Sequence, residues 1–183
     1  MSTERLRKVR LLMEEEGYES LFISPGPNQR YLTGLHYDYP GDAWDTVITW
    51  DLITAAIIPL DGDPVLVAPK ISENWVREIT KADDIRCYSG AESRMAIFEN
   101  LLGDMRGTLG AEGHLPFKIY KQLATALPHI KIRNASGMLS RARLVKSEEE
   151  VDSMRRAAGI VEKGIMTGRE FIRESVTERE ISI

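Results

Sequence analysis

Three histidines, one cysteine and 28 acidic residues are the groups through which this chain could hold a metal, move a proton or attack a carbonyl. The histidines, His36, His114 and His129, are far apart and fall in different expected elements. No H-x-x-x-H, H-E-x-x-H or cysteine pair occurs, so no short-range metal-ligand set is written here. Most Asp and Glu residues stand in turns, helix caps and helix faces, where solvation accounts for them. Gly107, Gly110 and Gly113 form G-x-x-G-x-x-G, which lacks the dinucleotide spacing, and G-x-x-x-x-G-K-[ST] is missing. A G-x-S-x-G nucleophile elbow is missing too. Cys87 lies in an expected strand and reads as a buried, inert thiol. The residues of this chain therefore offer no catalytic group and no metal site.

One stretch does carry contact chemistry. Leu35-His-Tyr-Asp-Tyr-Pro-Gly-Asp-Ala-Trp-Asp45 combines His36, Tyr37, Tyr39 and Trp44 with Asp38, Asp42 and Asp45. Rings with polar tips beside charges are what binding surfaces use. A second role suits the same aromatics, which is to close the sheet edge against the first helix.

The elements that must position this loop follow from periodicity. Residues 3–16 read as an amphipathic helix with Leu6, Val9 and Met13 on one face, closed by Gly17. Leu21-Phe-Ile23 is a buried strand stopped by Ser24-Pro-Gly-Pro27. Asn28 then takes a turn or capping role, Tyr31 and Leu32 pack in the core, and Gly34 allows positive φ. Strands are expected at Val47–Trp50, Thr54–Ile58 and Val65–Val67, the last two joined by an Asp61-Gly-Asp-Pro64 turn. Alternation follows: a helix over 70–79 with Ile71, Trp75 and Ile79 as its core face, a strand Ile85–Tyr88, and a helix 91–102. Next come a strand Thr108–Ala111, a helix 116–127 opened by Pro116, a strand Ile130–Arg133 and a short helix from Ser136 to about residue 143. Hairpin strands followed by β-α-β units argue for an α/β domain, a mixed sheet with helices on both faces.

The last third is organised by two capping boxes. Ser147 with Glu150 opens a helix whose apolar stripe is Val151, Met154, Ala158, Val161 and Ile165. Thr177 with Glu180 announces another helix, yet only Ile181, Ser182 and Ile183 follow, too few to form a stable one. The chain is expected to be a truncated piece of something longer, with a boundary near residues 141–146. The uncovered stripe of 147–173 is expected to pack on a second copy or on the sheet domain.

Composition bounds the rest. At 183 residues with 43% hydrophobic and 28% charged side chains, the chain is globular and large enough for a real core. A net charge of −4 without a basic block argues against nucleic acid and anionic membrane as partners. No apolar run approaches the ~18 residues of a membrane span, and the N-terminus lacks a signal-like apolar core, so a cytoplasmic location is expected. With one cysteine there is no internal disulfide. Asn134-Ala-Ser136 matches a glycosylation acceptor by chance.

Three stretches together resemble the creatinase/prolidase (Xaa-Pro peptidase) family of pita-bread metallohydrolases. They are Asn28-Gln-Arg-Tyr-Leu-Thr-Gly34, then Arg143-Leu-Val-Lys-Ser-Glu-Glu-Glu150 with Arg156-Ala-Ala158, then Val176-Thr-Glu-Arg-Glu180. Ser175 stands where the family usually has glycine. The resemblance implies a three-layer α/β/α domain over residues 1–140, with a six-stranded mixed sheet of ribonuclease-H-like topology. Residues 141–183 would be a linker and the first helices of a truncated pita-bread catalytic domain. It implies two divalent metal ions, Mn, Co or Zn, in the full-length parent, held by ligands beyond this chain's last residue and none within it. The chain would be the non-catalytic N-terminal portion of an Xaa-Pro dipeptidase or aminopeptidase, inactive alone. It would form a homodimer through the N-terminal domain and the exposed C-terminal helix. In the family the loop after Y-L-T-G gates the partner's active site, a role that would fall to His36, Tyr37, Asp38, Tyr39 and Trp44. A creatinase-like hydrolase of small C–N substrates and a non-catalytic interaction module remain as alternatives. The loop's lack of arginine argues against a creatine-like substrate.

Overall fold

Six short strands set the frame: β1 (Ser20–Ile23), β2 (Ala55–Pro59), β3 (Val65–Pro69), β4 (Asp84–Tyr88), β5 (Thr108–Ala111) and β6 (Lys131–Asn134). The computed structural model describes residues 3–35, 54–80 and 82–181, and within these the strands form one sheet in the order β4-β3-β2-β1-β5-β6. Only β2 opposes its neighbours; it is antiparallel to β1 and β3, while β3–β4, β1–β5 and β5–β6 are parallel. The expected strand Val47–Trp50 lies outside the described residues. Contacts divide the chain into two compact units, Met1–Ala142 and Arg143–Ile183.

Helices of the first unit are α1 (Thr3–Glu16), α2 (Pro27–Thr33), α3 (Glu73–Ile79), α4 (Ala91–Leu102), α5 (Phe117–Ala126) and α6 (Ser136–Leu144), the last crossing the boundary. The period-2 alternation of the strands sorts their side chains onto two faces. Leu21, Ile23, Ala56, Ile58, Leu66 and Ala68 face Val9 and Met13 of α1, Leu32 of α2, Val76 of α3 and Met138 and Leu139 of α6. Phe22, Ala55, Ile57, Val65, Val67 and Leu109 face Phe98 and Leu102 of α4 and Ile119 and Leu123 of α5. Each such aliphatic side chain, once fully buried, contributes about 1.5–3 kcal/mol. Phe22 meets Phe98 edge-on with ring centroids 5.1 Å apart. The unit is thus a six-stranded mixed sheet with helices on both sides, as the resemblance implies.

Close packing explains Gly110. A Cβ there would stand 2.6 Å from Leu21 Cδ2, 2.9 Å from Tyr18 Cδ1 and 3.0 Å from Ala135 Cβ. On the same face, Tyr18 donates its hydroxyl to the Asn134 carbonyl at 2.9 Å.

Several elements differ from the sequence reading. The helix expected over 70–79 is split into a 3₁₀ turn, Lys70–Ser72, and α3. Pro69 ends β3 in extended backbone, and the tighter turn that follows rotates Ile71 off the core face, leaving it 86% exposed. Trp75 and Ile79 do pack against the core. Pro116 precedes the first residue of α5 instead of occupying it. Cys87 is only half-buried, because β4 is an edge strand. Burial pushes its thiol above the ordinary range, with the Glu73 carboxylate adding to the effect. Arg94 of α4, which the sequence reading did not single out, is wholly buried and donates to Gln122 Oε1 at 2.9 Å.

The second unit contains α7 (Glu148–Phe171) and α8 (Glu178–Ile181). Ser147 caps α7 as its sequence demands: Glu150 N donates to Ser147 Oγ at 3.2 Å, and Ser147 N to the Glu150 carboxylate at 3.0 Å. Met154, Val161 and Ile165 are all exposed on its apolar stripe. The second box holds one helical turn, which the sequence reading did not grant it. Thr177 N and Oγ both donate to Glu180 Oε2 at 2.8 Å, and those bonds hold the Glu180 carboxyl below its ordinary pKa. Ser175, where the family pattern has glycine, takes φ +74°.

Candidate functional site

The loop residues singled out above, His36, Tyr37, Asp38, Tyr39 and Trp44, lie outside the described residues. What the structure places is the support from which that segment departs at Leu35 and to which it returns at Thr54. Both ends are built on α2.

β1 stops at Ser24-Pro-Gly-Pro27 because two prolines cannot donate to a ladder. Gly26, at φ 152°, turns the chain, and Pro27 begins α2 without losing a helical hydrogen bond. At the other end Gly34 terminates α2 at φ 77°, returning its N–H to the Arg30 carbonyl at 2.9 Å. The start of α2 is pinned by Glu112, which follows β5 and is buried. Its carboxylate accepts the Ser24 N–H and the Asn28 amide, each at 2.7 Å. Asn28 is therefore not the helix cap; Gly26 takes that position, and the Asn28 side chain bridges to the residue that follows β5. His114 Nε2 stands 3.8 Å from Glu112 Oε2 with its ring half-exposed.

Farther along α2, Gln29 is fully buried and donates its Nε2 to the Thr54 carbonyl at 2.8 Å. Its Oε1 is buried with no hydrogen-bond partner among the described residues. Thr33 Oγ1 donates to the Gln29 carbonyl at 2.8 Å and accepts the Leu35 N–H at 3.1 Å. Thr80, which ends α3, donates its hydroxyl to the Thr33 carbonyl at 3.0 Å and accepts the Ala82 N–H at 3.2 Å. The result is a chain of buried bonds from the departing stem, through one helix, to the returning stem.

The Glu112 carboxylate and the Gln29 amide engage backbone and amide groups inside the protein, so they hold a connection in place. None presents a nucleophile to solvent. Among the described residues no group of three or more His, Cys, Asp or Glu side chains converges to hold a metal ion. His129 Nε2 meets the Gly103 carbonyl at 3.1 Å. The metal pair that the resemblance implies for a longer parent does not fit these residues. No described helix is long and apolar enough to cross a membrane.

Sequence reasoning missed Gln29, Thr33, Thr80 and Glu112. A signal existed for two of them: Leu32 and Thr33 are three and four positions after Gln29, so helical spacing puts Gln29 on one face with both.

The profile described as the Creatinase/Prolidase N-terminal domain matches residues 5–145. The chain belongs to that family. As a creatinase/prolidase N-terminal domain it has relatives along almost its whole length. It is 23% identical over 177 residues to an uncharacterized peptidase of Staphylococcus epidermidis, covering 97% of this chain and 47% of that one. It is 24% identical over 180 residues to the Xaa-Pro dipeptidase of Pyrococcus furiosus, covering 98% and 46% respectively. The fold matches that of a recombinant prolidase from Thermococcus sibiricus with a TM-score of 0.78 at 22% identity, over 99% of this chain and 47% of the other. The chain thus spans about half the length of the curated relatives it matches.

Proposed function

We propose that this domain is the non-catalytic N-terminal portion of an Xaa-Pro dipeptidase- or aminopeptidase-like metallohydrolase. The observation that carries the reading is the asymmetry of coverage: 98% of the chain aligns with an Xaa-Pro dipeptidase, yet with only 46% of that protein. Residues 1–140 are the sheet domain, and residues 141–183 a linker and the opening helices of a catalytic half. The exposed stripe of α7 supports this division, since a contiguous apolar face is usually an interface. In the full-length parent the catalytic half binds two divalent metal ions, and a cytoplasmic homodimer forms through the N-terminal domain and α7. Segment 36–45, with His36, Tyr37, Asp38, Tyr39 and Trp44, narrows the partner's cleft and touches substrate. Its aromatic and acidic composition supports that role.

The coding sequence beyond Ile183 and an activity assay test this together. Two Asp, one His and two Glu should follow with the family's order. The 183-residue chain with added Mn²⁺ should leave Gly-Pro and Ala-Pro uncleaved, whereas the longer polypeptide should cleave them. Exchanging Tyr37 and Tyr39 for alanine in that polypeptide should raise KM more than it lowers kcat. Turnover by the 183-residue chain alone would overturn the reading.

A further inference from the structure

No side chain of α7 is buried, although its 24 residues carry a continuous apolar face. Val151, Met154, Ala158, Val161, Ile165 and Gly168 recur at alternating intervals of three and four positions, the spacing of a coiled-coil seam. Met154, Val161 and Ile165 are 58%, 60% and 65% exposed. A face of that length left in water marks an interface.

The two flanks of the seam say what covers it. One flank carries Glu148, Arg155, Glu162 and Arg169 at intervals of seven, with signs that alternate and reverse about the middle of the helix. The other carries Ala157 and Gly164, which have almost no bulk. A second copy laid antiparallel suits both. With Ala158 of one helix facing Val161 of the other, Val151 meets Gly168 and Met154 meets Ile165. On the charged flank Glu148 then meets Arg169, and Arg155 meets Glu162, each pair formed twice by the two-fold axis. On the small flank Ala157 lies beside Gly164, so the backbones can approach. Arg155 already pairs with Asp152 of its own helix at 2.9 Å, but both side chains are exposed, and such a pair holds weakly. A parallel pair is poorer. It brings Arg155 only to Glu150, which is engaged in the Ser147 cap, and it sets the two acidic first turns side by side.

We infer that α7 pairs with α7 of a second copy as an antiparallel two-helix coiled coil, with Glu148–Arg169 and Arg155–Glu162 pairs along one flank. The inference deepens the α7 part of the dimer proposed above and rests on that reading. The alternating signs carry it, because they match only when one helix is reversed against the other.

Sedimentation equilibrium of the 183-residue chain tests this. The native chain should pass from monomer to dimer as its concentration rises. Val161→Asp, at a position exposed in the single copy, should leave the circular dichroism native and the chain monomeric. Glu162→Arg turns two attractions into two repulsions and should weaken association about tenfold. Arg155→Glu combined with Glu162→Arg should return it to within about threefold of native. Spin labels on Ser153→Cys, in a Cys87→Ser background, should stand on the order of 20 Å apart along the helix axis in an antiparallel pair and level in a parallel one. A monomer at every concentration, a dimer indifferent to Val161→Asp, no recovery in the double exchange, or labels standing level would each overturn the inference. Cleavage of Gly-Pro by the longer polypeptide is read separately. An active longer polypeptide with a monomeric 183-residue chain would remove the α7 pairing and leave the peptidase reading standing.

Discussion

Gly110 is where one methyl group matters most. Its Cβ position is contested by Leu21, by Tyr18 and by the Cβ of Ala135, and only the Leu21 methyl belongs to a flexible end. Gly110→Ala should therefore destabilise the first unit by about 1–3 kcal/mol, read from the urea midpoint at constant m-value. Glu73 makes a gentler prediction. Its carboxyl is held below the ordinary glutamate pKa, first by the Lys70 ammonium that hydrogen-bonds to it and then by Arg77 at 3.0 Å. A depressed folded value means that this contribution is complete above the ordinary glutamate range and is lost as pH falls through the depressed value. A carbon-detected NMR titration should place the Glu73 midpoint below that of an ordinary glutamate, and Lys70→Gln should move it upward. The same acid range should loosen the first turn of α3. The site residues at this scale were the hardest to read in advance. The bonds from Gln29 to Thr54, Thr80 to Thr33 and Ser24 to Glu112 span 25, 47 and 88 positions, and no local pattern encodes partners so remote.

At the scale of elements, periodicity and caps were enough wherever a segment satisfied its own backbone. The boundaries of α1 and the cap of α7 follow from residues written beside them: Gly17 at φ 71° for the one, Ser147 and Glu150 for the other. The 70–79 segment shows what defeats this approach. Ile71 lies at helical spacing from Trp75, yet Pro69 brings the chain out of β3 extended, and the next residues close a 3₁₀ turn before the helix begins. Ser175 supplies the prediction at this level. It adopts φ +74°, which costs an L side chain about 1–2 kcal/mol and glycine little. Ser175→Gly should slow amide exchange at residues 176–181. Ser147→Ala should do the reverse to the first turn of α7, by about 1 kcal/mol.

For the molecule as a whole, the sheet domain has a complete core on each face, built from Leu21, Ile58 and Met13 on one side and Phe22, Val67 and Phe98 on the other. Residues 1–145 expressed alone should accordingly unfold in a single cooperative transition by both circular dichroism and tryptophan fluorescence. Fold class was legible because the alternation of strand and helix is regular from Val65 onward. The sheet order was not, since it depends on which strands find each other across the chain.

The reversal of β2 has a practical outcome. Ile23 at the end of β1 pairs with Ala56 at the start of β2, and Phe22 of β1 with Ala111 at the end of β5. Ser24 and Thr54, just beyond those strand ends, therefore stand on the same rim of the sheet. Extra residues spliced between positions 36 and 53 lengthen that connection, and each doubling of a flexible loop costs little entropy. An epitope tag inserted between residues 36 and 53 would leave the six described strands in register, which makes this rim a port for instrumenting the protein.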